Sequence, residues 1–468
     1  MGTLTSLYNV SLSALQADQA ALNVTANNVA NQNTVGYTRE TVNFQANDSV
    51  TLNGVVTGGV STGTGPVSQR DRVLEQRVQQ QTQISSQSSA LSSALSQIEN
   101  IFGLSSTSTS ASATTLGTAI DGFWSALSSL TSSPASASTR QNVLTTANSL
   151  AQAFNSASGQ LSQVSASLDQ QVGGIVSQVN SLTATIASLN QQITSISGSS
   201  DAGVLEDQRQ AAIAQLSQYI GLDQISTGGN GITLTTSNGD VLVGGNQSYA
   251  LSTTTVGGVT HILGGTANQD ITGSITGGQL GGVLQAREQI LPSYASSLDS
   301  LAYGVATAVN AQNEAGVDAN GNSGQAIFTI GTSSSGAAST IAVAATDPNA
   351  VAAASTGEGS AGSGNAQTLA ALSTANVAGG QTADGFFAAF LDQVGTAAAS
   401  ATSDSTAQAA TLTQLTTQRD SLSGVSLDQE AANLTQYQRA YQAASQVFSV
   451  VNTIMAGAIN LGVETSVS

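Results

Sequence analysis

Four places in the sequence bring together residue types that bind ligands or catalyse reactions in other proteins. Asp318-Ala319-Asn320-Gly321-Asn322-Ser323-Gly324 has the oxygen-rich opening of a calcium-binding loop. It lacks glycine at the sixth position, and Thr329 stands at the twelfth, where a bidentate glutamate is needed. The expectation is therefore an Asn-Gly turn leading into a strand. His261 lies in the strand-like run Val259-Thr260-His261-Ile262-Leu263, with no second histidine in the chain and no acid close by in sequence; a solvent-facing strand position is expected. Gly63-Thr64-Gly65-Pro66 is too short for a dinucleotide loop and lacks the third glycine. Glu206 and Asp207 are a carboxylate pair of the kind a glycosidase uses, but with Arg209 nearby they read as one solvated helix face. None of these is a catalytic constellation, so the chain is not expected to be an enzyme or to hold a metal or cofactor.

Composition narrows the field further. The chain has 468 residues, nine Lys+Arg against 27 Asp+Glu, and a net charge of −18. All nine cations are arginines, cysteine is absent and charged residues make up 8% of the chain, against roughly 25% in a typical globular domain. Disulfides, thiolate metal sites, lysine Schiff bases and a Walker-type phosphate loop are all impossible. Strong negative charge excludes nucleic acid and anionic membrane as expected partners. No run of about 18 apolar residues exists to span a membrane. Met1 to Ala17 has neither the positive charge nor the apolar core of a secretory signal peptide, and the myristoylation pattern at Met1 to Ser6 is too short to carry weight.

What remains is organisation. Met1, Tyr8, Leu15, Leu22 and Val29 are seven apart, with Leu4 on the same face. At the other end Leu427, Leu434, Tyr441, Phe448 and Met455 are also seven apart, and Tyr437, Ala444, Val451 and Ala458 complete a second row. Such repeats read as coiled-coil seams, each needing a partner. In the interior Phe154, Leu161, Leu168, Ile175, Leu182, Leu189 and Ile196 form the longest repeat, with Val172, Val179, Ile186 and Ile193 beside it. A long helix over 147–196 is expected, with Gly173-Gly174 marking close packing or a bend. Its expected partners are helices around Ile84, Leu91 and Ile98 and around Phe387, Phe390 and Val394. Trp124 is expected in the core, its indole N–H needing an acceptor. Gly, Thr, Val and Ile dominate from about 221 to 282, which reads as a β insertion.

The most specific segment is Ala26-Asn27-Asn28-Val29-Ala30-Asn31-Gln32-Asn33-Thr34-Val35-Gly36-Tyr37-Thr38-Arg39. Asparagines favour helix ends and turns, and Gly36 permits a positive φ before the chain extends. This segment resembles the signature that ends the N-terminal helix of the bacterial flagellar rod, hook and hook-associated proteins. The C-terminal run 424–444, with Tyr437-Gln438-Arg439-Ala440-Tyr441-Gln442-Ala443 at its centre, is similar to the closing segment of the same family and looks most like its members at the hook–filament junction. The signature positions are Asn27, Asn28, Asn31, Asn33, Gly36, Tyr37 and Arg39.

The residues and the resemblance together predict a mainly α chain with a β insertion. Residues 1–45 and 425–468 would form a terminal coiled coil, 46–221 and 280–424 a helical-bundle rod with a β-prone stretch near 326–345, and 222–279 a small β-rich part. The polymerisation seam would comprise Leu4, Tyr8, Leu15, Leu22, Val29, Leu427, Leu434, Tyr437, Tyr441, Phe448, Val451 and Met455. The resemblance implies export by the flagellar type III apparatus without a cleaved signal, and an extracellular place in the flagellum. The partners it implies are further copies of the chain, the hook protein, a second junction protein or flagellin, and a cytoplasmic export chaperone covering Leu434, Tyr441 and Phe448. It also implies that the ends, up to about Arg39 and beyond about Gly424, are mobile in the free monomer and order on assembly. The alternatives are a hook or rod subunit, or a cell-surface binding protein.

Overall fold

The computed structural model describes residues 2–34, 36–47, 50–52, 55–104, 112–196, 203–226, 231–265 and 268–464. The chain opens with helix α1 (Gly2–Asn31) and closes with α11 (Leu427–Glu464). Between them lies a bundle of α2 (Arg72–Ile101), α3 (Ser112–Ser132), α4 (Ala137–Ile196), α5 (Gly203–Tyr219), α6 (Gly278–Gln285), α7 (Leu291–Ala315), the short α8 (Ala337–Thr340) and α9 (Gly364–Ala371), and α10 (Ala383–Ser423).

The heptad reading of α4 holds. Phe154, Leu161, Leu168, Val172, Val179, Ile186 and Ile193 are all buried. The helix is 60 residues long, about 90 Å at 1.5 Å per residue. It begins ten residues before the first expected position, because Ser136 Oγ accepts a hydrogen bond from the Thr139 amide (3.3 Å) and caps the new helix just after Pro134. Gly173 and Gly174 are spanned without a break in the helix, and nothing approaches either within 4 Å of where a Cβ would stand. Close packing is not the reason for them. The chief neighbours of α4 are α3 and α5, whereas α10 packs along α2. Ile84, on α2, is exposed. The aromatic centre joins α10 to the rest through Phe390, which meets Phe102 edge-on at 4.9 Å and Tyr294 at 5.7 Å. Trp124 is buried as expected, but its Nε1–H has no partner among the described residues.

The β insertion contains an antiparallel sheet, β5 (Leu222–Ser226), β6 (Ile232–Thr236), β7 (Val241–Gly244) and β8 (Gln247–Ser248), and a second one, β9 (Ser252–Val256), β10 (Val259–Gly264) and β11 (Gln269–Asp270). It lies along the rod and shares its core: Leu222, Leu234, Leu242, Val243 and Ile262 belong to the same buried cluster as Leu168 and Val172. Asparagines on α4 stitch the two together. Asn180 exchanges two 2.8 Å hydrogen bonds with the backbone of Leu251, and Asn190 donates to the Ile232 and Gly245 carbonyls. Arg287, buried in the π-helical stretch between α6 and α7, pairs with Asp169 of α4 at 2.7 Å and donates to the Thr260 carbonyl. The later β-prone stretch is slight, two residues each in β12 (Phe328–Thr329) and β13 (Ala342–Val343), paired antiparallel.

One region departs from the expectation. The described residues of 46–68 are not part of a helical rod. β1 (Glu40–Ala46) and β4 (Val60–Ser68) form a hairpin tipped by β2 (Val50–Leu52) and β3 (Val55–Thr57), and the hairpin lies against α1. The Gly-Thr run at 63–66, weighed above as a dinucleotide loop, lies within β4.

The remaining polar motifs find structural roles. Asp318 Oδ1 accepts from the amides of Asn320 and Asn322, both at 2.8 Å, around Gly321 at φ +83°. That is the expected turn. His261 is only partly exposed and is not without an acid, since Asp270 reaches its Nδ1 at 2.7 Å from the adjacent strand β11. Hydrogen bonds from Thr272 hold the Asp270 carboxyl below the usual carboxylate range. Among the described residues no group of three or more His, Asp or Glu side chains is placed to hold a metal ion, and no helix is long and apolar enough to cross a membrane.

Candidate functional site at the base of the terminal helices

Helices α1 and α11 pack side by side and run antiparallel. Tyr8 meets Phe448 with ring centroids 4.8 Å apart, while at the other end Asn28 Nδ2 reaches Glu430 Oε2 at 3.3 Å. On α11 the expected rows face inward: Leu434, Tyr437, Ala444, Phe448, Met455 and Ala458 are half-buried and Val451 is 1% exposed. Tyr441 and Leu427, at 37% and 49%, are exposed. On α1 the row Leu4, Tyr8, Leu15 and Leu22 is only half-buried and Val29 is exposed; the buried residues are Ser6, Ser11, Ala17, Ala21, Val24, Thr25 and Asn28 beside it. The shift has a cause. The hairpin covers α1 on a second side, and small residues allow both neighbours to approach. Ser13 Oγ, for example, accepts from the Val60 amide of β4.

A polar joint closes the pair at its base. Asn28 is 1% exposed. Its Nδ2 donates to the Glu40 carbonyl at 2.8 Å, and its Oδ1 accepts from the Glu40 amide (3.0 Å) and the Tyr37 hydroxyl (2.9 Å). Arg39 Nε donates to Glu430 Oε1 at 2.7 Å, and the Glu430 side chain is 2% exposed. Burial, with the carboxylates of Glu40, Asp207 and Glu430 near, pushes the Tyr37 hydroxyl well above the ordinary tyrosine range. It stays protonated and serves as a donor.

The same few residues grip the rod. The Arg39 amide donates to the Ser423 carbonyl at the end of α10, and Ser423 Oγ donates to the Gln69 carbonyl. The Thr38 amide meets Asp207 Oδ2 at 3.5 Å, and Arg70 ion-pairs with Asp207 and donates to Thr38 Oγ1. Asp207 and Arg209 are therefore not a solvated helix face. Both are buried, and Arg209 Nη1 donates to Asn190 of α4 at 2.9 Å. No sequence signal marked them, since their partners lie 137 and 19 residues away.

The signature divides accordingly. Asn28, Tyr37 and Arg39 build the joint. Asn31 donates to the Asn27 carbonyl and accepts from Thr34, finishing the helix, while Asn27 and Asn33 are exposed. Gly36 has φ +84°, and a Cβ there would meet only Ala211 Cβ at 3.8 Å. Gly36→Ala is thus sterically permitted but conformationally strained, by about 1 kcal/mol. The expected result is roughly fivefold faster hydrogen exchange at the last turn of α1, with the rod unchanged; equal exchange in both proteins would show that the turn does not hold the helix end.

Three comparisons agree with this architecture. Residues 95–328 match the family described as the flagellar hook-associated protein FlgK helical domain. Residues 9–38 match the flagella basal body rod protein family, and 417–461 match the C-terminal part of the flagellar basal body rod FlgEFG proteins. These two end segments contain most of α1 with most of the signature, and most of α11. Flagellar hook-associated protein 1 of Bacillus subtilis (strain 168) is 31% identical over 497 residues, covering 96% of each chain. The protein of that name from Escherichia coli (strain K12) is 27% identical over 557 residues, covering 98% of this chain and 100% of its own. Both alignments are longer than this chain, so each relative contains residues that are missing here. The solved flagellar hook junction protein of Burkholderia pseudomallei shares the fold with a TM-score of 0.67 at 21% identity, covering 75% of this chain and all of its own. On this similarity the chain belongs to the flagellar hook-associated protein 1 family, a family of structural proteins of the bacterial flagellum.

Proposed function

We propose that this chain joins the hook to the flagellin filament, leaves the cell through the flagellar type III apparatus, and assembles with further copies through α1 and α11. One observation carries the reading. Among the described residues of α11 only Glu430 and Val451 are buried, and a second apolar row, Val447, Val450 and Ile454, is about half exposed. The terminal pair has a seam but no core of its own, and it is pinned to a rod whose core is complete. Such an element gains most from neighbours that cover its outer row. The hook protein would lie on one side, with a second junction protein or flagellin on the other. Before export a chaperone would cover the stretch containing Leu434, Tyr441 and Phe448; Tyr441 already faces outward, and the other two become available when α1 is displaced.

The test is a deletion strain of the source bacterium, with hooks imaged by electron microscopy and flagellin assayed in the medium. Intact hooks, no filaments and shed flagellin are expected. Missing hooks would move the subunit down to the rod or hook, the reading that the two terminal matches alone would favour. Normal filaments would leave the surface-binding alternative.

A further inference from the structure

The nine arginines are not evenly spread. Three of them, Arg70, Arg72 and Arg209, line one polar pocket of about 230 Å³ where the first turns of α2 and α5 meet the β5–β6 edge. Gln79, from the second turn of α2, forms part of its wall and is 4% exposed. Its Nε2 is buried without a hydrogen-bond partner, and so is Nε of Arg70. These are two of five such atoms among the described residues, and both are donors. Buried N–H groups are satisfied in nearly all native structures, and one left unmet costs as much as a lost hydrogen bond.

The charges around the pocket indicate what could satisfy them. Asp207 is committed to Arg70. Glu75 and Glu206 also line the pocket and balance Arg72 and Arg209, so net charge does not draw a ligand in. The unmet capacity is directional and consists entirely of N–H groups. Burial lowers the proton affinity of Arg209, Glu206 offsets part of that, and Arg70 and Arg72 add to the loss. Arg72 is exposed, and its guanidinium presents a planar fork of donors suited to an oxyanion or a carboxylate. A pocket of this size holds one such group with a few waters, each taking about 30 Å³.

We infer that this pocket binds an anionic oxygen group, held by Arg72, Gln79 and the free edge of Arg70, directly behind the joint that ties the terminal helices to the rod. The group is either a free oxyanion of the phosphate class or a carboxylate of a second copy of this acidic chain. The full chain would be titrated with inorganic phosphate at fixed ionic strength by calorimetry, alongside Arg72→Gln and Gln79→Leu. Gln79→Leu removes an unmet buried amide, so it is expected to fold at least as well as the parent. Phosphate also stabilises proteins in general by exclusion from their surface, and that effect would be equal in all three proteins. One-to-one binding to the parent, weakened about tenfold in each variant, supports the inference with a free ion as the ligand. No phosphate binding, but concentration-dependent association of the parent that both variants weaken, supports it with a neighbouring carboxylate as the ligand. Neither phosphate binding nor variant-dependent association would mean that water meets these N–H groups, and the inference would be wrong.

Discussion

Phe448→Asp is expected to abolish filament attachment while leaving the rod folded. Phe448 packs its ring against Tyr8 at 4.8 Å in the middle of the α1–α11 seam, one helical turn from the buried Val451. A carboxylate there either drags charge into the seam or opens it, and losing a half-buried aromatic side chain costs roughly 1–2 kcal/mol even before the charge is considered. The terminal pair has few other buried contacts with which to offset that loss. The rod does not share the damage, since its core residues belong to other helices. The variant should therefore keep its helical content and the main thermal transition. A strain expressing it should shed flagellin and fail to swim, while Phe448→Leu, which keeps the seam apolar, should retain motility. Wild-type swimming by the aspartate variant would remove the seam from the account of assembly.

The second large effect concerns the joint. Glu430→Ala leaves Arg39 without its partner and Asn28 without one of its contacts, in a place where the glutamate side chain is 2% exposed. Breaking a buried ion pair by removing one member costs about 3–5 kcal/mol, much of it the penalty for stranding the other charge. The expected readout is local. Amides in the last turns of α1 and the first turns of α11 should exchange about a hundredfold faster, with the α4 amides unchanged. The double variant Arg39→Ala/Glu430→Ala should recover part of the loss, because no charge is then stranded. If the double variant costs the sum of the two single ones, the pair is not coupled and the joint is merely a point of contact. The same exchange map tests whether α1 and α11, formed and paired within one chain here, open more readily in the free monomer than the rod does, as the resemblance implies.

How much of this was legible beforehand follows from the range of each interaction. Periodicity is local. The rows from Phe154 to Ile196 and from Leu427 to Met455 appear in the sequence because a helix repeats its face every three to four residues; the first is buried over most of its length, whereas Leu427 and Tyr441 of the second are exposed. The Asn-rich stop with Gly36 is equally local, since it describes one helix end and one turn. The β hairpin at 40–68 was missed because Gly63, Gly65 and Pro66 interrupt the pattern of β4, and its pairing with β1 is visible only once α1 provides a surface for it.

The sequence by itself determined the helix count at the ends, the long central helix, the absence of thiol and lysine chemistry, and the family. Only the tertiary structure decided which face of α1 is buried, that Asn28 meets Glu430 across 402 residues, and that Asp207 and Arg209 lie inside rather than in water. A polar residue carries no mark of its partner. Whether its charge is solvated or matched depends on the register of elements hundreds of residues apart, and packing sets that register.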